Sequence, residues 1–176
     1  QVIGNEAVIK EFMECKPTFS NQLLLFTGAT DSSQCFDAVV KAVKVFPDLR
    51  LGVAGRDFKN PNIEKALELL GNQLVILGWL SREDLSKIIS QSFLGFVTYE
   101  NIETNDTNSP NKLFEFSASG LPCVATPTLA NINWSKCSKG VYLAPNFDAH
   151  GIEVAIRNAL SSESDWLEKS QLLRKW

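Results

Sequence analysis

The chain has 176 residues, 44% of them hydrophobic and 21% charged, with a formal net charge of -3. That balance fits one globular domain with a substantial core. A net negative charge, with no Lys/Arg-rich run and no basic aromatic stripe, excludes a nucleic-acid surface as the main function, and no apolar run approaches the length of a membrane span.

Residues 1–20 read as a polar lead-in or linker, and "QVIGNEAVIK" lacks the basic-then-apolar layout of a signal peptide. Apolar runs of strand length then alternate with segments of helical period. The expected strands are "LLLFTG" (23–28), "RLGVAG" (50–55), "QLVILG" (73–78), "FLGFVT" (93–98), "PCVAT" (122–126) and "GVYLA" (140–144). Unbroken apolar runs of this kind imply strands covered on both faces. Between the first two, Phe36, Val39, Val40, Val43 and Phe46 form a stripe at helical spacing. "PNIEKALELLG" reads as a helix with Asn60 as cap, Pro61 first and Gly71 past its end; "SREDLSKIIS" is capped by Ser81 with Asp84 three residues on and is expected to bury Leu85, Ile88 and Ile89. A late helix starts after the cap Asp148, and "DWLEKSQLLRKW" within 163–176 reads as a closing helix. Cys15, Cys35, Cys123 and Cys137 show no C-x-x-C spacing, and Cys35 and Cys123 fall in runs expected to be buried; reduced thiols in a cytosolic protein are the expectation.

Alternation of strand and helix periods predicts an α/β domain over 21–162, a Rossmann-like three-layer sandwich with a parallel six-stranded sheet. Such sheets bind ligands at the carboxyl ends of their strands, where helix N-termini present free N–H groups. The loops to search are therefore 28–33, 55–60, 78–83, 99–112 and 126–134, of which 99–109 is unusually long and polar.

That long loop leads into "NSPNKLFEFSASG" (108–120). Ser109 is a good N-cap and Pro110 a good first residue, which places Lys112 at N3. A cation there opposes the helix dipole by roughly 0.3–1 kcal/mol. Either Lys112 reaches into water or pairs with Glu115 one turn on, or an anion shares the site. Lys112 and Glu115 share one helix face, with Leu113, Phe114 and Phe116 expected to anchor the helix in the core. Lysine at a helix N-terminus suits a diphosphate, and a carboxylate one turn deeper can accept from the two hydroxyls of a ribose. Together they suit a nucleotide.

"SPNKLFEFSASGLPCVAT" resembles the donor-binding helix and following strand of retaining GT-B glycosyltransferases of the group 1, or family 4, type. The resemblance continues through "LLLFTGATDSSQCFDAVVKAVKVFPDLRLGVAGRD", "LVILGWLSREDLSKII" and the closing helix. It implies the carboxyl-terminal, donor-binding half of a GT-B fold, with the acceptor domain outside this chain. It further implies that Glu115 binds the donor ribose and Lys112 the diphosphate, making these two the catalytic candidates. Gly28, Ala29 and Thr30 would approach the phosphates, and Trp79 and Leu80 would border the base. Thr107, Asn108, Ser109 and Asn111 complete the implied donor site, and Arg56 is a second candidate cation or, equally, a solvated loop residue.

The sequence departs from that family at two places. Many members carry a glutamate eight positions before the one at 115, where this chain has Thr107; "GATDSSQ" also lacks the family's frequent arginine and lysine. The family's retaining transfer is thought to use the donor's own phosphate as base, so neither a carboxylate pair nor a metal cofactor is implied. No Asp-x-Asp motif is present, Glu100, Glu103 and Asp106 are scattered on one loop, and His150 reads as structural or surface. The implied partners are a nucleotide-sugar donor and a glycan or lipid-linked acceptor. The implied compartment is the cytoplasm, with possible peripheral membrane contact through the absent half. Trp166 and Trp176 on the closing helix would cross back to that half. A dehydrogenase is disfavoured because the first loop lacks GxGxxG. A nucleotide-sugar epimerase-like domain and a non-catalytic α/β binding module remain as alternatives.

Overall fold

The computed structural model describes residues 6–56, 59–107 and 110–176. Six strands, β1 (Leu23–Thr27), β2 (Arg50–Ala54), β3 (Leu74–Gly78), β4 (Ser92–Val97), β5 (Cys123–Ala125) and β6 (Val141–Leu143), form one sheet in the order β3-β2-β1-β4-β5-β6. Every neighbouring pair is parallel. All six expected strands are present; five are shorter than expected by one or two residues, and β4 keeps its length but starts and ends one residue earlier.

Alternate residues of β1 feed two cores. Leu24 and Phe26 join Leu51, Val53 and the stripe Phe36, Val39, Val40, Val43 and Phe46, together with residues from α3 (Pro61–Leu70) and α7 (Ala149–Leu160). Leu25 joins Val97, Cys123 and Ala125 under α4 (Arg82–Ser90), α5 (Asn111–Ser119) and α6 (Leu129–Ser138). The stripe spans α2 (Phe36–Val43) and its C-terminal turn, and all five of its residues are buried. Helices on both faces of a parallel sheet make this a Rossmann-like three-layer sandwich.

The helix ends follow from the capping residues. Asn60 accepts from the backbone N–H groups of Asn62 and Ile63, Ser81 from Asp84, and Asp148 from Gly151. Each such cap contributes about 1 kcal/mol. Ile89 is buried, whereas Leu85 and Ile88 are only half-buried beneath α4.

Several expectations need correction. Full burial on both faces holds for β4, β5 and the middle of β1 and β2 but not for β3, whose place at the sheet edge leaves Ile76 47% exposed. Cys35 is half-buried and Cys15 is fully buried; all four thiols are free. Within the lead-in, α1 (Glu6–Met13) packs against α5 and α4, with Phe12 buried. In the closing helix α8 (Glu163–Lys175), Trp166 is 1% exposed and stacks on Phe93, so it belongs to this domain's core. Trp176 is half exposed and stacks on Phe114. Phe114 therefore lies on the surface of α5 and does not anchor it in the core; Leu113 and Phe116 do. No helix among the described residues is long and apolar enough to cross a membrane.

Candidate functional site

The carboxyl ends of β1, β2 and β3 are joined in a staircase: Gly28 N–H donates to the Ala54 carbonyl at 2.9 Å and Gly55 N–H to the Gly78 carbonyl at 3.1 Å. Above these ends and the start of α5 lies a cleft of about 780 Å³. Gly28 has φ 120°, and a Cβ there would stand 2.7 Å from both amide atoms of Gln34. Glycine is favoured there by the positive φ, which side chains rarely adopt, and its missing Cβ leaves the space that the Gln34 carboxamide fills.

The loop after β1 is held from two sides. Asp31 accepts from Ser33 N–H and opens a short 3-10 turn (Ser32–Gln34), which ends at Cys35 in the left-handed region with φ 51°. From the β4 side, Thr98 Oγ1 donates to the Gln34 carbonyl at 2.7 Å and Glu100 N–H to the Ser33 carbonyl at 3.1 Å. Opposite, the Asn60 amide donates to Thr30 Oγ1 at 3.0 Å and the Asn62 amide to the Thr30 carbonyl at 2.8 Å. This joins the N-terminus of α3 to the β1 loop, so two walls of the cleft are bonded to each other.

Pro110, extended with ψ 146°, takes the N-cap position of α5, which moves Asn111 to N1 and Lys112 to N2, one place earlier than the sequence predicts. Lys112 neither reaches into water nor forms an ion pair with Glu115. Its side chain turns inward, 7% exposed, and Nζ donates to the Thr27 carbonyl at 2.8 Å and to Gln34 Oε1 at 2.6 Å. The ammonium also lies 5.4 Å from the Phe26 ring centre and 5.1 Å from that of Tyr99, within cation–π range. Burial drives its pKa down to about 7, against the pull of Glu115. Glu115 is half-buried; burial pushes its carboxyl above the ordinary value, opposed by Arg82 and Lys112. The helix start is thus a cation and a carboxylate held side by side, both partly desolvated. Perturbed titratable groups in a cleft mark a candidate functional site.

Of the expected site residues, Gly28, Ala29, Thr30, Arg56, Trp79, Asn111, Lys112 and Glu115 line the cleft. Trp79 is 67% exposed and is not core packing. Leu80, half-buried, and Thr107, exposed, are off the lining, and Asn108 and Ser109 lie outside the described residues. Sequence reasoning missed Thr27, Asp31, Asn60 and Asn62 as lining residues, and Gln34 as the partner of Lys112. Asn60 registered only as a cap; Asn62, at the second helical position after a ligand-end loop, was the available signal.

The model of the family described as glycosyl transferases group 1 matches residues 21–162. The chain belongs to that family. As a group 1 glycosyl transferase chain it shares its fold with several solved structures. Sucrose-phosphate synthase from Thermosynechococcus elongatus is 16% identical with a TM-score of 0.72, covering 95% of this chain and 45% of that one. HepE from Anabaena, solved in complex with UDP and glucose, is 10% identical with a TM-score of 0.71, covering 98% and 47%. The C-terminal domain of the group 1 glycosyl transferase LpcC from Francisella tularensis is 16% identical with a TM-score of 0.67, covering 97% and 91%. At these identities the likeness is one of fold, that of one half of a GT-B enzyme, and the chain spans less than half the length of the first two. No curated protein matches the sequence.

Proposed function

We propose that this chain is the carboxyl-terminal, donor-binding half of a retaining GT-B glycosyltransferase. It binds a nucleotide-sugar without a metal cofactor, and an amino-terminal domain supplies the glycan or lipid-linked acceptor. The observation that carries this reading is the start of α5, where Lys112 and Glu115 line one cleft at the ligand end of the sheet. A lysine ammonium beside a helix N-terminus stabilises the charge of a departing diphosphate, and the carboxylate one turn on accepts from ribose hydroxyls. The HepE complex with UDP and glucose supports the ligand class, and the coverage of the LpcC C-terminal domain supports the assignment to that half. Nucleotide-sugars are cytoplasmic metabolites, and we place the protein there.

The donor half alone is expected to bind nucleotide and transfer nothing, since the reaction needs both partners positioned together. Calorimetric titration with UDP, GDP and ADP tests the reading. Selective binding of one, lost in Lys112→Ala and Glu115→Ala, supports it and names the base. Binding retained in both folded variants overturns it.

A further inference from the structure

Lys112 Nζ has three N–H donors, and two are accounted for by the Thr27 carbonyl and Gln34 Oε1. The Thr27 carbonyl ends a sheet strand and is fixed by it. Gln34 is the side chain whose acceptor decides where the ammonium points, and its backbone is pinned by Thr98, through the Gln34 carbonyl, and by the left-handed Cys35 that follows. Its carboxamide lies over Gly28, in the space that a Cβ at that position would take.

The other groups facing Lys112 do not supply this function. Glu115 on its own helix, with Arg82 beyond it, and Cys123 from β5 act on Lys112 through space without a hydrogen bond to it. Phe26 and Tyr99 offer ring faces, and Asp31 and Arg56 stand elsewhere on the cleft lining. Among the described residues Gln34 is the one side chain that accepts a hydrogen bond from Nζ. A neutral acceptor matters here: it orients the cation without cancelling its charge, whereas a carboxylate in the same place would compete with any anionic ligand.

We propose that Gln34 is a positioning residue, whose carboxamide oxygen holds the Lys112 ammonium at the floor of the cleft for an anion of the diphosphate class. This rests on the reading of Lys112 as the anion-binding cation. Gln34 is not itself a lining residue and acts through Lys112.

The test pairs Gln34→Met, which keeps the length and removes the acceptor, with Gln34→Glu, which keeps an acceptor and adds charge. The Lys112 titration is followed by NMR of the lysine side-chain carbon next to Nζ in the unliganded chain, assigned with Lys112→Met. Pyrophosphate affinity is measured at pH 7 by calorimetry. Gln34→Met is expected to move the titration midpoint to lower pH and Gln34→Glu to higher pH, while both weaken pyrophosphate binding roughly tenfold. Opposite shifts with a common loss of affinity are not produced by loosening of the loop. Midpoints unmoved in folded variants, or raised in Gln34→Met, overturn the proposal. Should Gln34→Met fail to fold, Gln34→Glu decides alone, a midpoint unmoved or lowered being the overturning result. If the midpoints move as stated and the natural chain binds no pyrophosphate, the anion-site reading falls and the positioning role stands.

Discussion

The indole of Trp166 lies parallel to the ring of Phe93, centroids 6.1 Å apart, and donates its N–H to the carbonyl of that same residue at 3.0 Å. One side chain of α8 therefore stacks on β4 and satisfies a buried carbonyl of it. Trp166→Leu removes both and is expected to cost about 3–5 kcal/mol in urea unfolding. A loss under 1 kcal/mol would mean that α8 contributes little to this domain's stability.

A second prediction concerns pH. Lys112 holds its proton up to about 10.5 when unfolded and loses it near 7 when folded. Between those values the unfolded chain binds more protons, so stability rises with pH. Relative to Lys112→Met, the natural chain is expected to gain about 3 kcal/mol between pH 6 and pH 9. Urea melts of both proteins at one-unit intervals measure the difference, from which the thiols common to both cancel. A difference that stays flat across this range would place the ammonium in a more solvated setting than the buried one described.

Glu115 and Lys112 should separate by ligand. Glu115→Gln is expected to weaken binding of the preferred nucleoside diphosphate roughly tenfold and to leave pyrophosphate binding unchanged or tighter, since it loses a charged acceptor for ribose and a negative charge near the phosphates. Equal losses for the two ligands, read by calorimetry, would place Glu115 at the phosphates.

Gly95 is a packing site. A Cβ there would stand 2.6 Å from the Phe116 ring, which anchors the helix carrying Lys112. Gly95→Ala is expected to cost about 1–3 kcal/mol by overpacking, with much of it recovered in Gly95→Ala/Phe116→Leu. Additive losses in the double variant would show that the two sites do not share the strain.

The fold was legible because its signals are local and redundant. Unbroken apolar runs gave the strands, Asn60, Ser81 and Asp148 gave the helix starts, and their alternation gave the parallel sheet. What escaped depends on long-range packing. Trp166 on a polar helix carries no sign that Phe93 awaits it, and Phe114 and Phe116 differ in burial through the turn of α5 over the sheet. At the site, the oddity of a lysine in a first helical turn was legible, and so was the presence of Lys112 and Glu115 in one cleft, though not as an ion pair. Its inward turn was not, because its acceptors are a strand-end carbonyl and a glutamine in a loop far earlier in the chain. The start of α5 was misplaced by one residue because Pro110 suits either side of the boundary.

The strand order reverses at the β1–β4 pair, which joins residues from the two halves of the chain. Every other pair joins consecutive strands and closes a shorter loop. The central seam therefore carries the largest closure entropy in the sheet, and its formation is expected to limit the folding rate. Lys112, Thr27 and Gln34 meet across that seam. Their cleft cannot exist in a half-folded chain, so on the reading proposed above a newly made molecule can bind no donor until its two halves have joined.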